Sequence, residues 1–346
     1  MRFTEADLNR SDEITNLSES AVISLARRVR HYGASRVIQG IGDDCAVIRT
    51  PGSGALLITS DVFIEGVHFL PDQPPESVGG KLLAVNLSDV AAMGGHPGEA
   101  VVDLMLPDTT KLEWVERFFN GLGEVAKRFE VNLVGGDTSR HPDRITLSLT
   151  LIGRCRKDEV VYRKGAQPGD LVYVSGTLGD ADAGLELFKI LDLRFKIETA
   201  TILKGKYISP EPRVELGRLL AKTRSASAMI DLSDGIAVGA RQLAAASGVA
   251  VELEAEALPI SNELMEFCDV NGNDPIDWAL KAGGDYELLF TVPAELARQV
   301  NRFGLKRPEL PRLTCIGKVA SGVGVTVKHN GQTEPLSPGG WEHFQS

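Results

Sequence analysis

Five short segments that place aspartate beside glycine, serine or threonine constrain this chain more than any other feature. Three of them follow apolar, strand-like runs, at Ala55–Ser60, Val131–Val134 and Ala228–Ile230. Aspartate holds a metal ion close to rigid backbone, and glycine lets backbone N–H groups approach a phosphate. One such segment could be an ordinary turn or helix cap, but five together favour a Mg²⁺ and phosphate site. The segments are Gly42–Asp44, Thr59–Asp61, Ser88–Asp89, Gly135–Thr138 and Asp231–Gly235.

Two of these segments recur in similar form in the second half of the chain. Asn86–Asp89 resembles Asp231–Asp234, and residues 86 and 231 are 145 apart. Gly135–Asp137 resembles Gly283–Asp285, and residues 135 and 283 are 148 apart. The similar offsets suggest two related halves, although matches this short also arise by chance.

Hydrophobic periodicity predicts helices and strands mixed along the whole chain. Their order lacks the strict alternation of a doubly wound sheet, so we expect an α/β (α+β) fold of two domains with mixed or antiparallel sheets. The charged segment Arg154–Asp170 is the expected linker, which divides the chain into domains 1–153 and 154–346. The predicted helices are Ser18–His31, Ser77–Met93, Lys111–Phe129, a stretch from Asp180, Val214–Ala221 and Ala237–Ala246. The predicted strands are Ala55–Ser60, Val131–Val134, Arg144–Ile152, Leu171–Val174, Ala228–Ile230, Val249–Leu253, Leu288–Val292 and Arg312–Ile316.

Composition argues against several classes of partner. The net charge of −10, with no block of lysine and arginine, makes nucleic acid an improbable ligand. Four widely separated cysteines indicate reduced thiols. The polar start of the chain and the lack of a long apolar run predict neither a signal peptide nor a membrane span. We therefore expect a cytoplasmic protein.

Common nucleotide-binding motifs are missing from the sequence. It contains no G-x-x-x-x-G-K-[ST] and no G-x-G-x-x-G, and it lacks the paired motifs of protein kinases. A bound nucleotide must be held in another way.

Taken in order, the acidic segments and their surroundings resemble the thiamine-monophosphate kinase family, within the aminoimidazole ribonucleotide synthetase-like superfamily. The similarity runs from residue 40 to the C-terminus, and the gapless NLSDVAAMG and GGDYEL stretches are its most specific parts. The matching stretches are Gly40–Ala46, Thr59–Asp61 with His68-Phe69, Lys81–Gly94, Gly135–Thr138, Arg163–Leu178, Asp231–Gly235, Gly283–Leu288 and Gly340-Trp341.

This resemblance implies ATP-dependent phosphorylation of thiamine monophosphate to thiamine diphosphate, with several Mg²⁺ ions per site. It also implies a two-domain architecture of that superfamily, with helices flanking the sheets, and a homodimer formed through the N-terminal domains. The family's metal ligands correspond to Asp44, Thr59, Ser60, Asp61, Asp89, Asp137, Asp231 and Asp234. Its ATP contacts correspond to Gly136, Asp137, Arg163 and Ser233, and its substrate contacts to His68, Glu287 and Trp341.

The expected reaction needs charge neutralisation more than acid–base catalysis. A phosphate monoester is already a nucleophile at neutral pH, so no general base has to create one. Several Mg²⁺ ions bridging two polyanions would remove their repulsion, and an arginine would add a permanent positive charge. We expect Asp61, Asp234 and Arg163 to carry the catalysis.

Two alternatives stay open from the sequence. One is another ATP-using enzyme of the superfamily, such as a selenophosphate synthetase, although Cys45 lies in an acidic turn rather than in a glycine-rich N-terminal segment. The other is a non-catalytic module that binds Mg²⁺ and nucleotide. Phosphorylation of thiamine monophosphate separates these possibilities.

Overall fold

The computed structural model describes residues 19–29, 34–189 and 195–340. Two β-sheets organise these residues, one in each half of the chain, and helices flank both. The first half contains α1 (Glu19–Ala26), β1 (Val37–Gln39), β2 (Ala46–Arg49), β3 (Gly54–Ile64), α2 (Pro75–Ala92), β4 (His96–Leu106), α3 (Leu112–Arg128), β5 (Asn132–Arg140) and β6 (Thr146–Arg156). The second contains β7 (Leu171–Ser175), α4 (Asp180–Lys189), α5 (Ile197–Ile208), α6 (Val214–Thr223), β8 (Ala228–Asp231), α7 (Ile236–Ser247), β9 (Ala250–Glu254), α8 (Asn262–Asn271), α9 (Pro275–Lys281), β10 (Leu288–Val292), α10 (Ala297–Lys306), β11 (Leu313–Ala320), β12 (Gly324–His329) and β13 (Gln332–Pro335).

The first sheet has six strands in the order β1-β2-β3-β6-β4-β5. Only the pair β4–β5 is parallel, and the long strands β3 and β6 pair from Gly54 opposite Arg156 to Ile64 opposite Thr146. Leu147, Leu149 and Leu151 of β6 are fully buried, as the alternation of apolar and polar residues predicts. This sheet therefore has one face in the core and leaves β5 at its edge.

The second sheet has seven strands in the order β13-β12-β9-β11-β7-β10-β8. Strands β9 and β12 are parallel, and the other neighbours are antiparallel. The predicted fold class, two α/β (α+β) units with mixed sheets, is confirmed. Strand β8 lies at the edge of its sheet, so Asp231, at the end of β8, faces the first half of the chain, where its carboxylate meets Ser88 of α2.

Helix α2 lies at the centre of the molecule. Nearly every residue of α2 is buried, because it packs against α3 and β3 on one side and against α6 and β8 of the second half on another. Its contact with α3 is backbone to backbone, since a Cβ on Gly121 of α3 would lie 1.9 Å from the Glu76 carbonyl oxygen. Helix α2 therefore holds the two halves together, and its own polar residues face the junction between them.

Two predicted element ends are wrong, and both concern acidic segments. Thr59–Asp61 was expected at the end of the strand Ala55–Ser60, but β3 continues through it to Ile64 because β6 offers backbone partners along that whole length. Gly135–Thr138 was expected in a turn, but it lies inside β5, where parallel pairing with β4 holds it extended. The predicted linker begins too early, because Arg154 still belongs to β6, which runs to Arg156.

The remaining predictions concern the first helix, the cysteines, membrane spans and the domain boundary. Part of the predicted helix Ser18–His31 is present as α1, which ends at Ala26. Residues 27–29 form a turn instead, and residues 18, 30 and 31 lie outside the described residues. All four cysteines are free thiols. Among the described helices, none is both long enough and apolar enough to cross a membrane. The division into 1–153 and 154–346 stays a prediction.

Candidate active site

Three carboxylates from distant parts of the chain meet where the two halves join. Oxygen atoms of Asp44, Asp89 and Asp231 lie within 4.8 Å of one another. Asp44 precedes β2, Asp89 lies in the last turn of α2, and Asp231 ends β8. Carboxylate oxygens gathered at this spacing are the ligands that Mg²⁺ takes from proteins. We call these three side chains the acidic triad.

Burial makes the acidic triad costly to ionise. It raises the pKa of Asp231 to about 8, and the charge of Asp44 adds to the shift. It also raises the pKa of Asp89 well above its ordinary value, with a further contribution from Asp61. Within the described residues, Asp44 Oδ2 is a buried oxygen without a hydrogen-bond partner. A divalent cation fits this donor set, because it would neutralise the charges and coordinate the unpartnered oxygen.

Hydroxyl groups orient two members of the triad. The Thr59 hydroxyl donates to Asp89 Oδ2 at 2.5 Å, and the Ser88 hydroxyl donates to Asp231 Oδ2 at 2.8 Å. Each hydrogen bond uses one carboxylate oxygen and leaves the other for a ligand. Such outer contacts fix the direction in which a carboxylate presents its ligand atom.

Arg163 is the positive charge beside the triad. Its Nη2 and Nε atoms donate to Asp44 Oδ1 at 2.6 and 3.1 Å, and its backbone N–H donates to Asp43 Oδ1 at 3.1 Å. The Asp44 side chain is completely buried, so this ion pair is largely shielded from solvent. The predicted linker therefore carries a residue that reaches into the site.

A cavity of about 710 Å³ adjoins this cluster and is lined on one side by Ser60, Asp61, Ser233 and Asp234. Burial raises the pKa of Asp61 to about 6, and the nearby charge of Asp234 adds to the shift. In the described part of the chain, Asp61 Oδ2 is a second buried oxygen without a partner. The carboxylates of β3 and of the segment after β8 thus face the same space.

Aromatic side chains line another wall of the cavity. The His68 ring stacks on Phe63 at 5.8 Å between centroids, and its Nδ1 accepts a hydrogen bond from the Ile64 N–H at 3.1 Å. Tyr207 and Tyr286 also line the cavity. Tyr286 has a φ of 52°, a conformation that is costly for a residue with a large side chain. Flat aromatic surfaces beside clustered carboxylates suit a ligand that carries a ring at one end and phosphate at the other.

Gly136 and Asp137 lie apart from this cluster, on β5. All residues of β5 are exposed, and neither of these two belongs to the acidic triad or lines the large cavity. The Asp137 N–H donates to Asp103 Oδ1 at 2.8 Å. The predicted metal and ATP contacts on this strand therefore face solvent in a single chain.

Of the two predicted substrate contacts that the structure describes, His68 lines the cavity and Glu287 does not. Glu287 is 2% exposed, its carboxylate pairs with Arg213, and Ser175 donates to its Oε2 at 2.5 Å. It lines a separate space of about 30 Å³ instead. Trp341 lies outside the described residues, although the preceding Gly340 lines the large cavity.

Three other cavity residues were not predicted as site residues, although one of them carries a sequence signal. Lys81 is the only charged residue between Glu76 and Asp89 in α2, and a lone lysine in so apolar a helix is a usable signal. Tyr286 belongs to the GGDYEL stretch but resembles a packing residue. Tyr207 of α5 carries no signal, because nothing in its neighbourhood predicts that α5 approaches Lys81 of α2 and the His68 backbone.

Two family comparisons cover most of the chain. Residues 42–155 match the family of AIR synthase related protein, N-terminal domain. Residues 167–330 match the family of AIR synthase related protein, C-terminal domain. The two matches fall on the two sheets described above.

Individual relatives are similar over nearly their full length. Thiamine-monophosphate kinase of Aquifex aeolicus is 38% identical, over 96% of this chain and 99% of its own. The Salmonella typhimurium enzyme of the same name is 37% identical, over 92% and 97%. A solved structure, AaThiL complexed with AMPPCP and TMP, superposes with a TM-score of 0.84 over 96% of this chain and 99% of that one, at 38% identity. The chain therefore belongs to the thiamine-monophosphate kinase family of enzymes.

Proposed function

We propose that this enzyme transfers the terminal phosphoryl group of ATP to thiamine monophosphate and releases thiamine diphosphate and ADP. The acidic triad carries the proposal, because it joins both halves of the chain beside a cavity with carboxylate and aromatic walls. The similar structure that holds AMPPCP and TMP supports both substrates. A charged triad beside a space of this size suits a reaction between two phosphate-bearing molecules.

In this proposal the acidic side chains would hold several Mg²⁺ ions, which when bound would supply positive charge to neutralise the phosphates. The triad, Asp61 and Asp234 form the main ligand set, since unpartnered oxygens of Asp44 and Asp61 are already buried there. Thr59 and Ser60 add hydroxyl groups. Asp137 would join a metal only where a second chain covers β5. The full set of proposed metal ligands is Asp44, Thr59, Ser60, Asp61, Asp89, Asp137, Asp231 and Asp234.

The side chains position the reactants rather than exchange protons with them. A phosphate oxygen of the acceptor forms a new bond to the terminal phosphorus of ATP, and the bond to the ADP oxygen breaks. The acceptor oxygen needs no general base, because it is ionised before it binds. Arg163 adds positive charge beside the triad, and Ser233 and Gly136 contribute contacts to ATP.

We also propose that the enzyme is a homodimer joined through the first sheet. Strand β5 is an edge strand whose residues are all exposed, including the apolar Leu133 and Val134 at 41% and 61%. Long exposed edge strands that carry apolar side chains are normally covered. A second copy on β5 would bring Gly136 and Asp137 into an enclosed site.

The three proposed substrate contacts, His68, Glu287 and Trp341, differ in how they relate to the cavity. His68 lines the cavity and suits the proposed role. Glu287 could meet the substrate only if its pair with Arg213 opened. Trp341 follows a cavity residue, Gly340, in the chain, and its role stays a prediction.

One assay tests the proposal directly. Purified protein is incubated with ATP, Mg²⁺ and thiamine monophosphate, and the products are separated by chromatography. We expect thiamine diphosphate in the complete mixture and none when EDTA replaces Mg²⁺. Phosphorylation of a different acceptor only, or binding of ATP without turnover, would overturn the proposal.

A further inference from the structure

Lys81 is a buried cation that the proposed chemistry does not yet use. It is 6% exposed, and it makes no hydrogen bond or ion pair with any residue in the described ranges. Its Nζ lies 3.7 Å from the centroid of the Tyr207 ring. Burying an amine without an acceptor is costly, so Lys81 lowers the free energy of unfolding of the protein.

The amine opens into the large cavity but lies away from the metal ligands. Lys81 precedes Asp89 by eight residues of α2, which corresponds to about 12 Å along a helix axis. It lines the cavity together with the aromatic wall of Phe63, His68 and Tyr207. Burial alone lowers the pKa of Lys81 to about 7, with no contribution from a carboxylate, which agrees with this separation.

A ligand that fills the cavity must therefore offer an acceptor at this position. A protonated lysine amine donates hydrogen bonds but accepts none, and the face of Tyr207 is a weak partner compared with a nitrogen or oxygen acceptor. In the proposed substrate, the phosphate end belongs with the carboxylates and their metals. The part that remains for the aromatic wall is the pair of rings.

We propose that Lys81 is a specificity-determining residue that donates a hydrogen bond to a ring nitrogen of the substrate's aminopyrimidine. This inference rests on the proposed function and adds a residue to it. The amine lies beside the Tyr207 ring, so it belongs to the aromatic wall rather than to the carboxylate wall of the cavity. A second lysine of the cavity, Lys281, is not equivalent, because its Nζ pairs with Asp277 at 2.6 Å.

The test is Lys81→Met, which keeps most of the length of the unbranched side chain and removes the donor. We expect the KM for thiamine monophosphate to rise about 10- to 100-fold, the range for losing a hydrogen bond to a charged group. The KM for ATP should change less than about threefold. The melting temperature should not fall, because the substitution removes a buried polar group.

A truncated acceptor separates the two ends of the substrate. The phosphate ester of 4-methyl-5-(2-hydroxyethyl)thiazole lacks the aminopyrimidine, so Lys81→Met and wild type should use it with equal kcat/KM. The control is Lys204→Met on α5, which removes another lysine that lies over an aromatic ring, that of Phe188, outside the cavity. This control should behave as wild type with both acceptors.

Each other outcome overturns the inference in a recognisable way. An equal loss on both acceptors would mean that Lys81 contacts the phosphate. A fall in melting temperature in parallel with activity would mean a structural role. An unchanged KM would remove the inference but leave the proposed function standing. If wild type makes no thiamine diphosphate, the proposed function fails and the inference fails with it.

Discussion

At the scale of single residues, the site depends on aspartates whose carboxylates are oriented by hydrogen bonds from neighbouring side chains. Hydroxyls of Thr59 and Ser88 each hold one oxygen of a triad member, and Arg163 holds one oxygen of Asp44. The second oxygen of each of these three carboxylates is therefore available to a metal ion. Asp61 and Asp234 face the cavity instead, where a transferring phosphoryl group would lie.

Replacing either cavity acid should therefore stop the reaction without unfolding the protein. We expect Asp61→Asn and Asp234→Asn each to lower kcat for thiamine diphosphate formation by more than about 100-fold, since outer-shell contacts alone are worth 10- to 100-fold. Asn keeps the shape of the side chain, and the melting temperature should be maintained. Asp269→Asn on the surface of α8 is the matched control. Activity near wild type in both cavity variants would contradict the assigned metal site.

The sequence alone predicts the three residues of the acidic triad as site residues. It does not predict the role of Lys81 or the ion pair that holds Glu287. Asp44, Asp89 and Asp231 all lie in segments whose composition predicts metal binding. The orientation of Glu287 depends on Arg213, 74 positions earlier, and no local pattern reveals that partner. Lys81 is visible only as an exception in an apolar helix, and its ligand-facing position depends on α5.

At the scale of elements, the packing of α2 against α3 sets the geometry of the centre. Gly121 allows the two helix backbones to touch, and α2 then carries both Lys81 and Asp89 to the junction. Widening this contact would move α2 relative to β8, and therefore Asp89 relative to Asp231. A change at the contact between α2 and α3 would thus alter the site without touching it.

Two glycines of α3 give a matched test of this packing. Gly121→Ala should lower the free energy of unfolding by about 1–3 kcal/mol, the usual cost of overpacking, because its Cβ would lie 1.9 Å from the Glu76 carbonyl oxygen. Gly123→Ala should leave stability unchanged or raise it by up to about 1 kcal/mol, since nothing lies within 4 Å of its Cβ. Urea unfolding of both variants checks the difference. Equal effects would show that the close approach is unimportant.

Periodicity predicts most elements correctly but cannot predict how strands pair. Helices α2 and α3 and strand β10 match their predicted ranges closely, because their apolar patterns are local. The Gly135–Thr138 segment is polar and rich in glycine, so its composition indicates a turn, yet β4 holds it as a strand. Strand β4 itself begins at His96-Pro97 and shows no clear alternation in the sequence.

At the scale of the whole molecule, the buried acids link stability to pH. An acid whose pKa is raised by folding destabilises the protein as pH climbs from its ordinary value towards the raised one. For Asp231 this window runs from about 3.8 to about 8. Asp285 shows the same shift, to about 8, outside the triad.

In EDTA, the melting temperature should therefore fall between pH 5 and pH 8. Mg²⁺ binds ionised carboxylates, so it should raise the melting temperature more at pH 8 than at pH 5. Asp231→Asn is the control, and it should lose most of the Mg²⁺ increment while keeping the part of the fall that Asp285 causes. Calorimetry at both pH values makes the comparison. An equal Mg²⁺ effect at both pH values would contradict it.

The proposed dimer gives a second prediction at this scale. Val134→Arg places a charge on the exposed edge strand β5, and we expect it to yield monomers in light scattering and to reduce turnover by at least about tenfold. Leu305→Arg on α10, where the leucine is 84% exposed, should leave the oligomeric state unchanged. A monomeric wild type would refute the assembly.

The split origin of the acidic triad has a consequence for how the enzyme matures. Asp44 and Asp89 belong to the first half, and Asp231 belongs to the second. The carboxylates of Asp44 and Asp89 already oppose one another within the first half, and docking of the second half adds the charge of Asp231. Repulsion is therefore greatest once the halves have docked, and a bound divalent ion would remove it. We therefore expect divalent ions to favour docking of the two halves, and we expect the joint between the halves to open first when such ions are withheld.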